Sequence, residues 1–214
     1  MIKTELVVFD WDGTLVNSIA HIVASLKHAA NALGLPLQAD MKYQSIIGLG
    51  MLEAVEVLYP YLDSRDVERY RKAYSESFFA SQEQGSVLYP HVEDVLVSLD
   101  KAGIKLAVAT GKSREGLNRA LEVMAIGAYF SVTRCANETR SKPHPLMLQE
   151  ILNYCEVAPE NALMVGDTTY DLEMAARAGV PSVGVIYGAH PADDLLRYSP
   201  RGCIDCLSKL SRYL

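Results

Sequence analysis

The stretch Leu6-Val7-Val8-Phe9-Asp10-Trp11-Asp12-Gly13-Thr14 sets four apolar residues directly before two acids and a glycine. A short continuous apolar run that ends in polar turn residues reads as a strand buried on both faces, the form taken in parallel sheets. Lys105-Leu106-Ala107-Val108-Ala109 repeats the pattern and ends at Thr110-Gly111. Ala162-Leu163-Met164-Val165 repeats it before Gly166-Asp167. Ser182 to Ile186 is a fourth run, and Tyr129 to Thr133 a weaker fifth.

Helical spacing fills the intervals. Val92, Val95, Leu96 and Leu99 share one face after Pro90, and Leu117, Leu121 and Met124 share one between Ser113 and Met124. A further helix is expected to open at Pro143, and another to run from Asp171 to Ala178 and close at Gly179. Strands alternating with helices predict an α/β fold, a Rossmann-like parallel sheet covered on both faces. Residues 17–84 lack strand-like runs and carry helical stripes instead: Ile19, Ile22, Val23, Leu26; then Met51, Val55, Leu58; then Tyr70, Tyr74, Phe78. The expected division is therefore a core of residues 1–16 and 85–214 with a helical insert at 17–84, whose aromatics pack the insert itself. The tail from Pro191 to Leu214 reads as a last strand and helix.

In an open parallel sheet, ligands bind beyond the carboxyl ends of the strands. Three runs end there in reactive residues: Asp10 and Asp12, Thr110-Gly111-Lys112, and Asp167. Asp171 follows one helical turn after Asp167, although acids near a helix start also serve as caps. A cluster of carboxylates without His or Cys suits a hard cation such as Mg²⁺, which also binds phosphate. Thr110 can donate its hydroxyl to a phosphate oxygen, aided by the N–H groups of Gly111 and Lys112. Lys142, in Lys142-Pro143-His144-Pro145, offers a compact positive charge.

Composition bounds the rest. A chain of 214 residues, half of them hydrophobic, is globular, and a net charge of −6 argues against a broad basic face for nucleic acid. No apolar run reaches bilayer length, and Met1 to Asp10 lacks a signal-peptide layout, so a cytoplasmic protein without a membrane partner is expected. Cys203 and Cys206 form a lone pair without the second pair or His cluster that a metal site needs, and all four cysteines read as free thiols. The sequence does not specify an oligomeric state.

The motifs Val8-Phe9-Asp10-Trp11-Asp12-Gly13-Thr14-Leu15, Ala109-Thr110-Gly111-Lys112, Lys142-Pro143-His144-Pro145 and Val165-Gly166-Asp167-Thr168-Thr169-Tyr170-Asp171 occur in the order found in a known superfamily. The chain resembles the haloacid dehalogenase-like hydrolases, and within them the phosphoglycolate phosphatase-like group. The resemblance implies a Mg²⁺-dependent phosphatase acting on a small phosphorylated metabolite, with a helical cap inserted after the first motif. It implies Asp10 as nucleophile and metal ligand. Asp12 is then the general acid/base and lends its backbone carbonyl to the metal. Thr110, Gly111 and Lys142 hold the phosphoryl group, and Asp167 and Asp171 complete the metal site. Asp12 argues against a dehalogenase. A sugar-phosphate mutase, a pyrophosphatase or a non-catalytic binding module would share the fold, and the insert segment Gln44 to Met51, without Lys or Arg, favours a hydrolase with a small or neutral leaving group. Three departures stand out: Trp11 is bulky, Asn17 stands where an acid is common, and Gly111 replaces a frequent Asn.

Overall fold

Why Leu6–Phe9 is apolar without interruption is explained by its neighbours. In the computed structural model, which describes residues 4–80 and 86–214, this segment is strand β1 and lies between two parallel partners. One is β4 (Lys105–Thr110), the other β6 (Ala162–Gly166). The six-stranded parallel sheet runs β5–β4–β1–β6–β7–β8, with β5 at Val132–Cys135, β7 at Ser182–Val185 and β8 at Gly202–Ile204. The chain leaves β1 toward β4 and β5, then returns across β1 to β6. That reversal brings the loops after β4, β1 and β6 side by side at one edge, where α/β sheets hold their ligands.

Side chains alternate between two apolar layers. Val7, Phe9, Leu106, Val108, Leu163 and Val165 point to one face. There they meet Leu96 and Leu99 of α5 (Val92–Lys101) and Leu117 of α6 (Arg114–Met124). Leu6, Val8, Ala107, Ala109, Ala162 and Met164 point to the other, against α7 (Leu146–Cys155) and α8 (Thr169–Ala178).

Residues 19–80 supply helices α1 (Ile19–Ala32), α2 (Asp40–Gln44), α3 (Met51–Leu58) and α4 (Ser64–Ala80). Their buried side chains form a third cluster of their own, including Leu26, Val55, Leu58 and Phe78. Its tyrosines are buried with satisfied hydroxyls: Tyr70 donates to the Leu26 carbonyl (2.7 Å), and Tyr43 and Tyr59 bond each other (2.9 Å). The two crossings to the sheet are tied by a small antiparallel ribbon, β2 (Val16–Asn17) with β3 (Val87–Leu88). Asn17, read as the first residue of the insert, is thus a ribbon residue paired with Val87. The boundary expected at 84/85 lies outside the described residues.

Three expectations need correction. The weak fifth strand is Val132–Cys135, because Gly127–Tyr129 forms a 3₁₀ turn. The helix expected at Pro143 begins at Leu146: Pro145 disfavours a helical conformation for His144, so the helix waits until the second proline has passed. In the tail, the last strand β8 is followed by a 3₁₀ helix, Leu207–Tyr213, and preceded by the short α9 (Ala192–Leu196). Among the described residues no helix is long and apolar enough to cross a membrane, and the four cysteines are free thiols.

Candidate active site

Asp10 follows β1, and its amide donates to the Val165 carbonyl (2.9 Å), so the backbone ladder still holds it as the sheet ends. The chain then turns at Gly13, whose φ of +85° is in the left-handed region. A Cβ there would lie 2.1 Å from Asp167 Oδ2, so both the turn and the close approach require glycine. Trp11 is fully buried in the core, with its ring edge-on to Phe130. Its bulk therefore points away from the site, and only its backbone takes part in the turn.

Asp10, Asp167 and Asp171 bring carboxylate oxygens within 4.8 Å of one another, all buried. Lys142, also fully buried, sends Nζ to Asp10 Oδ1 at 2.5 Å and to Asp171 Oδ1 at 2.6 Å. Asp167 accepts from the Thr14 hydroxyl (3.0 Å) and from the Ala189 amide (2.7 Å). Asp171 does two things at once. Its Oδ2 accepts from the Thr168 amide (3.1 Å) and hydroxyl (2.7 Å), closing a capping box on α8, while Oδ1 faces Lys142. The cap reading of Asp171 therefore holds, and its second oxygen faces the cluster. Asp10 Oδ2 is buried with no hydrogen-bond partner among the described residues.

One ammonium does not balance three buried carboxylates. Burial raises the Asp10 carboxyl well above the usual range; Lys142 opposes the rise, and Asp171 and Asp167 add repulsion. Burial together with repulsion from Asp171 pushes Asp167 up to about 7. Burial alone would lower Lys142, but Asp10 and Asp171 outweigh it and hold the amine firmly charged. Excess negative charge, oxygen-only donors and one orphaned carboxylate oxygen fit a hard divalent cation such as Mg²⁺.

Thr110, at the end of β4, is buried, and its hydroxyl accepts from the Lys112 amide (3.2 Å). Asp12 does not join the acid cluster. Its Oδ1 accepts from Ser18 (2.6 Å) and pairs with Lys112 Nζ (3.0 Å). The site opens into a cleft of about 990 Å³ between the sheet edge and the helical insert, lined by Asp10, Asp12, Lys112, Lys142, Tyr74 and Phe78 among others.

Gly111 explains its own departure from the common Asn. Its backbone is not in the left-handed region, yet a Cβ would lie 2.4 Å from the Leu49 carbonyl oxygen and 2.7 Å from that of Gly48. The strap Ser45–Gly50 rests directly on it. The same strap is pinned by the Ser141 hydroxyl, which accepts from the Gly50 amide (2.7 Å), and by Tyr170, which donates to the Ser45 carbonyl (2.8 Å). Gly111→Asn is therefore expected to push the strap off and lower kcat/KM by on the order of 10²-fold, the effect of about 1 Å of misplacement. Faster amide exchange across residues 45–50, measured beside the kinetics, would locate the cause; unchanged exchange would contradict it.

The structure brings Asp10, Lys142, Asp167 and Asp171 together, sets Asp12 and Gly111 on the same cleft, and puts Thr110 at the end of the neighbouring strand β4. Sequence reasoning missed four participants: the Lys112 ammonium, Ser18, Thr14 and Ser141. Lys112 carried a signal, a cation two residues past a site strand, but its direction depends on the insert.

A family model described as haloacid dehalogenase-like hydrolase matches residues 7–185. A phosphoglycolate phosphatase of Salmonella typhimurium is 30% identical over 95% of this chain and 90% of its own length. One from Escherichia coli K12 is 32% identical over 85% of this chain and 81% of its own. A crystal structure from Bacteroides fragilis, described as a haloacid dehalogenase-like hydrolase, superposes with a TM-score of 0.90 at 27% identity, covering 97% of this chain and all of that one.

Proposed function

The chain belongs to the haloacid dehalogenase-like hydrolases as an enzyme of phosphatase type, and we propose that it hydrolyses small phosphoglycolate-like phosphate monoesters through a phosphoaspartyl intermediate on Asp10. The observation that carries this reading is the Asp10 carboxylate itself. It is buried, oriented by Lys142 through Oδ1, and left with an unpartnered Oδ2 at the floor of a cleft.

In the first displacement Asp10 attacks phosphorus and the ester oxygen leaves with a proton from Asp12. In the second, Asp12 takes a proton from water, which attacks the phosphoaspartate and returns Asp10. Splitting the reaction this way is covalent catalysis, and acid/base help from Asp12 contributes roughly 10²–10⁴-fold. Thr110 and the neighbouring amide of Gly111 hold phosphoryl oxygens, and Lys142 neutralises one of them. Asp10, the Asp12 carbonyl and Asp167 would hold Mg²⁺, which supplies charge neutralisation for the phosphoryl oxygens when bound. Asp171, engaged by Lys142 and Thr168, acts by fixing Lys142 and the α8 start and, in this reading, stands behind the ion. Residues 17–84 act as a cap over the cleft, and their separate apolar cluster supports that division.

The test is hydrolysis of a panel of phosphoglycolate, sugar phosphates, nucleotides and pyrophosphate. Release that EDTA stops and Mg²⁺ restores is expected for small monoesters. Release from none of them would sink the reading, and pyrophosphate alone would replace it with a pyrophosphatase.

Proton and metal compete for the same carboxylates. Asp167, raised to about 7, holds a proton in the metal-free protein below that pH. Mg²⁺ must displace it, and the raised Asp10 carboxyl competes in the same sense, so affinity is expected to rise by about tenfold or more per pH unit as pH climbs toward 7. The metal-free fold moves oppositely: a carboxyl with a raised folded value stabilises below its unfolded value, and that contribution is lost as pH rises through about 7. Calorimetric Mg²⁺ titrations at about pH 6 and about pH 8 check the first, and a pH-independent affinity would refute it.

A further inference from the structure

The leaving group of a phosphate ester must touch the acid that protonates it, so whatever stands beside Asp12 also stands beside the leaving group. Among the described residues two side chains bond Asp12, the neutral Ser18 hydroxyl at 2.6 Å and the charged Lys112. Its Nζ is 3.0 Å from Asp12 Oδ1, and its side chain is only 10% exposed. The insert holds it there. Lys112 Nζ lies over the Phe78 ring at 4.5 Å, and Phe78 is itself buried, stacked on His21 at 4.1 Å and packed against Tyr74. A cation placed over a buried aromatic face and shielded from water interacts strongly with a nearby anion.

Among the described residues, the other cations on the cleft have their partners away from Asp12. Lys142 is committed to Asp10 and Asp171. Arg71 is gripped by both oxygens of Glu68, Arg177 pairs with Glu173, and Arg140 Nη1 is bonded to His144. The strap that covers the site brings no charge of its own, being Ser45-Ile46-Ile47-Gly48-Leu49-Gly50. A neutral leaving group, the expectation from that strap, overlooks a cation contributed by the sheet side.

We propose that Lys112 binds an anionic group carried by the leaving alcohol, so that the preferred substrates are phosphate monoesters bearing a carboxylate or second phosphate within two carbons of the ester oxygen. In the free protein the Asp12 carboxylate occupies the place that the substrate anion takes beside the ammonium. Phe78 makes this subsite depend on the insert, since the ring that seats Lys112 belongs to α4. The proposal rests on Asp12 as the group that reaches the leaving oxygen.

The experiment compares kcat/KM for three esters of similar size: phosphoglycolate, 2-hydroxyethyl phosphate as its neutral counterpart, and a short bisphosphate. It uses wild type, Lys112→Met and Lys112→Arg. Wild type is expected to favour the anionic esters over the neutral one by roughly ten- to hundred-fold, the worth of a charge-assisted bond. Lys112→Met is expected to erase that ratio, chiefly through KM, and Lys112→Arg to keep most of it. A preference for phosphoglycolate alone assigns a carboxylate subsite; equal preference for the bisphosphate assigns a general anion subsite. Wild type that hydrolyses all three esters equally overturns the proposal while the phosphatase stands. Equal losses on every ester in Lys112→Met also overturn it and reduce Lys112 to positioning Asp12. No hydrolysis by wild type would overturn the phosphatase reading and this one with it.

Discussion

Replacing Asp10 with Asn is expected to remove turnover by at least ~10⁴-fold, the scale on which nucleophile deletions act, without weakening the fold. The two halves of that expectation have one cause. In the proposed mechanism the carboxylate is the attacking group, and an amide oxygen in its place forms no stable phosphoryl ester. The same carboxylate is a burden on the metal-free fold, because burial and two neighbouring acids raise its proton affinity far above the ordinary. An uncharged isostere relieves that repulsion, while Lys142 keeps Asp171 as partner. The melting temperature of Asp10→Asn without metal should equal or exceed that of wild type. Persisting turnover, with contaminating phosphatase excluded, would end the case for Asp10 as nucleophile. A large drop in melting temperature would show that the Asp10–Lys142 pair supports the fold more than its repulsion strains it.

Lys142→Met is expected to do the reverse and damage both activity and stability. The ammonium is the only positive charge within ion-pair distance of Asp10 and Asp171 among the described residues. Removing it leaves buried carboxylates facing one another. Breaking a buried pair in this way costs about 3–5 kcal/mol, and losing a preorganised charge at the phosphoryl group costs about 10²–10³ in kcat. The loss of stability should be largest at neutral and higher pH and shrink on acidification, since the orphaned acids can then take protons. Melting curves across pH, with and without Mg²⁺, separate the effects. Mg²⁺ should recover part of the stability by supplying charge, and little of the rate. A variant as stable as wild type at pH 8 would show that the carboxylates are neutral in the folded protein.

The sheet was legible because its strands are covered on both sides. Leu6–Phe9 and Ala162–Val165 carry no polar residue, and that pattern alone distinguishes a parallel central strand. The site followed from it, since Asp10, Thr110 and Asp167 each end one of three adjacent strands. What escaped is what depends on neighbours remote in sequence. The β5 edge strand has only its end residues, Val132 and Cys135, buried, so its apolar signal was diluted and its start misplaced. Lys112 is read for its backbone N–H alone, and its ammonium enters the site only once Phe78 is placed beneath it. Gly111 stood out only as a departure from a frequent Asn, and the strap carbonyls show that any side chain there would collide. Asp171 gave two readings from one position because a helix cap and a lysine partner use its two oxygens separately.

The strand order also sets when the catalytic centre comes into existence. Asp10 follows β1, the first strand of this sheet in chain order, and that strand is central, so it waits for partners on both sides. Thr14 and Asp167, which bond each other across the finished site, are 153 residues apart. At about 5–20 residues per second the ribosome needs roughly 8–30 s to bridge that interval. Through that time Leu6–Phe9 lacks its β6 neighbour, and Asp10 stands without Asp167 and, until residue 142 emerges, without Lys142. The acid cluster and its lysine are therefore complete only once β6 and the start of α8 have been made, and β1 is the strand of the sheet left longest without a neighbour during translation.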